Sequence, residues 1–228
     1  MNLTYSDDVV DFYDSWSASF DGEHPIITCD NELMDKALNK ISGRVLEVGA
    51  GTGRISEKLL NQGVYSLDII EPAIGMVEQL HKKSLNKKAN IIGQKFEDWA
   101  PDDDKKYTAI ICAQVLDHVY DIDHWFHKLS SLLEEDGVLL ISAVNPYFQR
   151  HVMGMKVHNG RTTIDAVVHP LSSLFTVWKR HNLILEELYE YPLTNRDIAG
   201  ANTELFKAGD MPVIAYLLRK ENGKIRAR

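Results

Sequence analysis

The sequence predicts an α/β fold: a central seven-stranded, mostly parallel sheet, helices on both faces, and an antiparallel last pair of strands. Three observations carry this expectation. From about residue 44 onward, apolar strand-like runs alternate with amphipathic stretches of helix length, the pattern of right-handed βαβ units. The first such run ends in glycines at alternate positions and opens into a helix, Val48-Gly49-Ala50-Gly51-Thr52-Gly53. Finally, 228 residues with 44% hydrophobic and 25% charged composition suffice for a sizeable core.

The elements follow in order. The first 40 residues read as one or two helices. Phe12, Tyr13, Trp16 and Phe20 share helical spacing, which serves either core packing or a lid closing over the sheet. Residues 44–48 form a buried strand, and 54–61 a helix with Ile55, Leu59 and Leu60 on one face, closed by Gly63. A strand over 64–70 follows, and Pro72 opens the next helix, carrying Met76, Val77 and Leu80. Residues 90–92 and 109–113 are the third and fourth strands. Residues 122–133 align Ile122, Trp125, Phe126, Leu129, Leu132 and Leu133; Gly137 breaks that helix before a fifth strand at 138–144. A helix near 170–180 and strands at 183–191 and 212–219 complete the chain. The stretch 146–169 has no clear period. The expected organisation is a helical lid over 1–40 and a sheet domain over 41–228, with an insert at about 146–170.

Composition excludes several classes. Twenty-five Lys plus Arg against 33 Asp plus Glu give a net charge of −8, which argues against a nucleic-acid partner. The lysines at 82–88 are flanked by acids and read as a solvated helix end. Cys29 and Cys112 have no C-x-x-C spacing, so neither a disulfide framework nor structural zinc is expected. The first residues lack a basic and an apolar region, and no run reaches the length of a membrane span; the expected location is cytoplasmic, away from membranes.

The chemistry concentrates at the glycine-rich turn. Glycines admit a ligand where any Cβ would clash, and the helix behind offers unpaired N–H groups. A dinucleotide loop uses G-x-G-x-x-G to seat a pyrophosphate; here the third glycine comes one residue early. Glu47 at the strand end repels phosphates and suits an ammonium group. A second acid, Glu71, ends the next strand and could accept both hydroxyls of a ribose. Asp68 competes for that role. Glu71 is preferred because Asp68 lies inside the strand, in an expected edge or partly exposed position.

In these motifs the chain resembles the class I S-adenosylmethionine-dependent methyltransferases over roughly residues 43–145, with their Rossmann-like sheet. Residues 45–53 look like the family's E/D-x-G-x-G-x-G segment, implying cofactor contacts at Glu47, Gly49, Ala50, Gly51 and Gly53. Glu71, Pro72 and Met76 resemble the ribose acid followed by an apolar adenine neighbour. Glu97, Asp98 and Trp99 look like the loop where an acid accepts from the adenine amino group. Ala113 and Gln114 resemble the segment after the fourth strand that lines the cofactor, and residues 137–142 the fifth strand. Thr108 departs from the family, where an Asp is common.

The resemblance implies in-line methyl transfer, with the protein positioning and desolvating the reactants. A general base matters only for an acceptor that holds its proton tightly. Candidates are His118, Asp117, His151, His158, His169 and Tyr147, with His118 and His169 preferred. Tyr13 is the expected lid contact to the cofactor. Trp16, Tyr147, His151, Met155 and His158 are expected to line the acceptor site. Metal is not expected, since no carboxylate or cysteine stands at ligand spacing from these histidines. The expected function is methylation of a small molecule on O or N, by a monomer or homodimer. The rivals are a methyltransferase acting on carrier-bound acyl groups or protein, and a non-catalytic cofactor-binding subunit.

Overall fold

The computed structural model describes residues 7–22, 24–102, 104–149, 156–158, 163–167, 169–200 and 205–221. In chain order the elements are α1 (Asp7–Trp16), α2 (Pro25–Ala37), β1 (Arg44–Val48), α3 (Arg54–Gln62), β2 (Ser66–Ile70), α4 (Ile74–Lys82), β3 (Asn90–Ile92) and β4 (Tyr107–Ala113). They continue with α5 (Ile122–Leu132), β5 (Leu133–Val144), α6 (Pro146–Gln149), β6 (Lys156–His158), β7 (Thr163–Asp165), α7 (Leu171–Arg180), β8 (Leu183–Glu190) and β9 (Val213–Lys220). Seven strands form one sheet in the order β3-β2-β1-β4-β5-β9-β8, and β6 pairs with β7 separately. β1 to β5 pair in parallel, whereas β9 runs antiparallel to both β5 and β8.

Strand alternation sorts the core into two layers. Leu46, Val48, Ile110 and Cys112 face α5 and α7, where Trp125, Phe126, Leu129 and Trp178 are buried. Val45, Ala109, Ile111 and Leu140 face the other way, against Met34, Ala37, Ile55, Leu59 and Leu80 of α2, α3 and α4. Fully burying each Val, Leu, Ile, Met or Phe side chain among these contributes about 1.5–3 kcal/mol. The near-continuous apolar runs of β4 and β5 follow from being covered on both faces.

Several expectations need correction. The helix after β2 begins at Ile74, not at Pro72, because Ala73 is its extended N-cap. Gly137 does not break a helix: α5 ends at Leu132, and Gly137 lies within β5. There the register jumps from Leu133 opposite Tyr107 to Val138 opposite Ala109, looping out the residues between. Asp68 is neither at an edge nor exposed; β2 is an interior strand, and Asp68 is 6% exposed. The span 1–40 also divides. α2 is a core helix, with Cys29, Leu33, Met34 and Ala37 fully buried, and it lines the site only through Ile27 near its start. Thr108 takes a structural role: its hydroxyl donates to the carbonyls of Ser42 (2.6 Å) and Arg44 (3.0 Å), tying β4 to the start of β1.

Candidate active site

β1 pairs with β2 on one side and with β4 on the other, so the strand order reverses beside it. A crevice opens at the carboxyl ends of the strands, where open α/β sheets take ligands. Gly49 and Gly51 shape its floor. Both have positive φ, +68° and +56°, a conformation that costs other L-residues roughly 1–2 kcal/mol. A Cβ on Gly49 would lie 2.6 Å from Val115 Cγ2, so β4's loop packs directly on this turn. A Cβ on Gly51 would meet only the Phe20 ring, at 3.9 Å; its backbone stands open to the cavity.

Three buried carboxyl groups gather here. Glu47 leaves β1 toward α3 and accepts from Ser56 Oγ at 2.6 Å. Glu71 accepts from the backbone N–H of Gly51 (2.7 Å) and Ala73 (2.9 Å). Asp117, just after β4, accepts from Val144 N–H at 3.0 Å. Burial pushes each up to about 7, with these hydrogen bonds opposing the shift. Glu47 and Glu71 line the main cavity, together with Ala50, Pro72, Met76, Ala113 and Gln114. Gln114 has φ +58°, a strained value outside glycine. Its N–H is held by Ser142 O (2.9 Å) and its Nε2 by Asp30 Oδ1 (3.2 Å). Gly53, the last glycine of the turn, is the N-cap of α3 and faces Leu80 and Leu85 rather than the cavity.

A smaller cavity adjoins the first and shares Gly49, Pro72 and Val115 with it. Val48, Ile70, Phe96 and Trp125 give it apolar walls, and Glu97 is its acid. Glu97 Oε1 is buried with no hydrogen-bond partner among the described residues, and burial raises this carboxyl above its ordinary value. Asp98 is exposed, and Trp99 packs into the core. Neither of them lines the two cavities.

The N-terminal segment covers the crevice and is pinned at three separate places. Tyr13 Oη and His118 Nε2 are 2.7 Å apart. Asp14 Oδ1 accepts from Gly75 N–H at the start of α4. Asp21 binds Thr52 of the glycine turn and Lys83 after α4. A Cβ on Gly75 would lie 2.4 Å from Ser17 Oγ, so the cover sits flush on α4. Tyr13 and Phe20 line the cavity; Trp16 stands behind them, stacked on Tyr13 with centroids 6.1 Å apart.

His118 also lines the main cavity. It is buried, and desolvation lowers its ring to about 4, so it is neutral at pH 7. His169 Nε2 is 2.7 Å from Val119 O; a carbonyl only accepts, so that nitrogen carries the proton. Burial lowers His169 as well. His169 and Tyr147, the latter 64% exposed on α6, line neither cavity. His158 lies in β6. His151 and Met155 fall outside the described residues.

The sequence reading passed over some lining residues. Arg54, the first residue of α3, reaches the cavity and pairs with buried Asp30 of α2 and with Asn31 (2.8 Å). A cation in a helix's first turn opposes the dipole, and that local conflict was a legible signal. Ile27 and Val115 gave none, since apolar residues look alike until their neighbours are known.

A methyltransferase-domain family model matches residues 29–187. The ubiquinone biosynthesis O-methyltransferase of Xanthomonas axonopodis pv. citri (strain 306) is 30% identical over 116 residues, 50% of this chain and 48% of that protein. The chain thus spans about half the length of that relative. The enzyme of the same name from Hydrogenovibrio crunogenus is 25% identical over 199 residues, 79% of this chain and 82% of that protein. In fold, the chain is similar to N-methyltransferase NodS from Bradyrhizobium japonicum WM9, solved with S-adenosyl-L-homocysteine. The TM-score is 0.68 at 13% identity, covering 95% of this chain and all of that one. The motif order, the crevice at the strand ends and the extent of the family match converge: this chain belongs to the class I S-adenosylmethionine-dependent methyltransferases.

Proposed function

We propose that the enzyme transfers the methyl group of S-adenosylmethionine to an oxygen or nitrogen of a small-molecule acceptor. One observation carries the reading: two adjoining cavities at the switch point of the sheet present carboxylates at both ends and apolar walls between. That donor set fits a cationic, ribose-bearing nucleoside. When bound, the cofactor supplies a methyl group already activated by a sulfonium charge.

The residues divide the work. The backbone of Gly49 to Thr52 lines the cavity, and at Gly51 it leaves room for close approach. Glu71 accepts the ribose hydroxyls, exchanging its bond to Gly51 N–H for them. Glu47 and Gln114 serve the cationic amino-acid end, and the burial of Glu47 excludes water that would screen the charge. Pro72 and Met76 flank the base, and Glu97 accepts its amino group. Tyr13 and His118 close the site toward the acceptor. The neutral His118 ring accepts a proton from an acceptor hydroxyl or ammonium only when that group loses it readily. Relatives named O-methyltransferases favour an oxygen acceptor.

Isothermal titration with S-adenosylmethionine, S-adenosylhomocysteine and NAD tests the cofactor assignment. The first two should bind and NAD should not; no heat from either sulfur nucleoside sinks the reading. A metabolite screen with methyl-labelled cofactor identifies the acceptor by product mass. Label appearing only on protein would replace a small-molecule acceptor by a macromolecular one.

A further inference from the structure

The turn at residues 95–99, between β3 and β4, is gathered by one side chain from another element. Lys128 of α5 donates to the carbonyl oxygens of Phe96, Glu97 (3.0 Å) and Trp99. An ammonium has three hydrogens, and all three are spent on this turn. The same nitrogen lies 4.7 Å from the centroid of the Phe96 ring, within cation–π range. The turn itself closes with the N–H groups of Asp98 and Trp99 on Lys95 O, both at 3.1 Å.

This is a costly way to hold a loop. Burial lowers the Lys128 pKa, and only the nearby Glu97 and Asp98 charges oppose it. Three carbonyls converging on one charge fix the turn's orientation more tightly than two backbone bonds alone. That orientation decides which of two neighbouring acids faces inward. Glu97 enters the smaller cavity with a buried oxygen that lacks a partner among the described residues, while Asp98 points to solvent. Lys128 also acts on Glu97 through charge, opposing the desolvation that would protonate it.

We propose that Lys128 is the positioning residue that holds the Glu97 carboxylate at the end of the smaller cavity, and thereby sets how strongly the enzyme prefers a 6-amino purine to a 6-oxo purine. The proposal rests on the assignment of this cavity to the adenine base. A 6-oxo purine offers Glu97 an acceptor where adenine offers a donor, so a correctly aimed carboxylate repels it.

The test is calorimetric affinity for S-adenosylhomocysteine and its deaminated analogue, S-inosylhomocysteine. The wild type should prefer the amino form by about tenfold or more, the scale of a charged hydrogen bond. K128M keeps the aliphatic stem and removes the three donors. Its preference should fall to within about threefold, with the inosyl analogue binding as in the wild type. K128Q, with two N–H donors, should lie between, and provides the reading should K128M not fold. E97Q should lose the preference by the direct route. Equal weakening of both ligands in K128M or K128Q would show a merely structural lysine and overturn the proposal, as would an unchanged preference. A wild type that binds both nucleosides equally, or neither, overturns instead the adenine assignment beneath it.

Discussion

Asp68 and Glu71 stand three residues apart on one strand and its exit, and the fold treats them oppositely. Asp68 points into a filled network. It accepts from Tyr107 Oη at 2.6 Å, Lys105 Nζ at 2.5 Å and Asn90 Nδ2 at 3.4 Å, and it lines neither cavity at the site. Glu71 has two backbone donors and a cavity wall, and burial lifts it to about 7. One carboxylate is paired and holds strands together. The other is kept under-solvated, where a ligand's hydroxyls and charge can stabilise it. The contrast extends along the sheet: the buried carboxyl groups of Glu47, Glu71 and Asp117 and the left-handed backbone of Gln114 stand at the carboxyl edge, as expected where structure is committed to function.

The sharpest way to break this comparison is Asp68→Ala. It should cost about 3 kcal/mol, because it leaves a buried tyrosine hydroxyl and a lysine without their partner. Urea unfolding measures that loss, and S-adenosylhomocysteine affinity of the folded fraction should be unchanged. A variant of normal stability that no longer binds would exchange the roles of the two acids.

Glu71→Ala should do the reverse. Cofactor affinity should weaken by about 1–3 kcal/mol, with unfolding stability held or slightly raised, since a desolvated carboxyl is removed. Calorimetry and urea titration on the same sample separate the two quantities.

A smaller effect is expected at the cover. Tyr13→Phe keeps the ring and removes the bond to His118, which should weaken cofactor retention by about 0.5–1.5 kcal/mol. Stopped-flow measurement should place the change in the dissociation rate. A change confined to association would mean that the cover does not gate release.

The gentlest prediction concerns pH. Glu47, Glu71 and Asp117 sit near 7 in the folded protein, above their unfolded values. The folded state therefore holds more protons in that range, and stability of the ligand-free protein should rise as pH falls from 8 toward 6.5. Below 6.5 the unfolded chain protonates His118, which stays neutral in the fold down to about 4, and the gain is opposed. Binding a cation favours the ionised carboxylates, so cofactor affinity should rise from pH 6 to 8 with proton release. Thermal melts in paired buffers and calorimetry in two buffers of different ionisation heat check both signs. A flat profile would place these acids outside the ligand's reach.

How much was legible depended on the range of the interaction. The β1–glycine turn–α3 unit reads from sequence because strand period, glycine spacing and helix period are all local. Glu71 reads as well, since it stands at a strand exit. Choosing Glu97 over Asp98 did not, because adjacent residues in a turn have no period to assign them a face. The insert was legible only as a departure from periodicity. The extended Leu133 end of β5 was missed because Gly137 resembles a helix terminator, and only pairing with Tyr107 makes the preceding residues a strand.

By itself, the sequence determined the α/β class, the position of the glycine turn and the presence of acids at the ends of β1 and β2. Those features follow from hydrogen bonding and side-chain direction within a few residues. The tertiary structure decided what each acid does. Sheet order brings the exit of β4 beside the glycine turn. Only that placement sets Val115 against Gly49, Tyr13 against His118 and Lys128 beneath the Glu97 turn. These contacts join residues far apart in the chain, and their energy lies in burial and converging charges that appear only once the layers have closed.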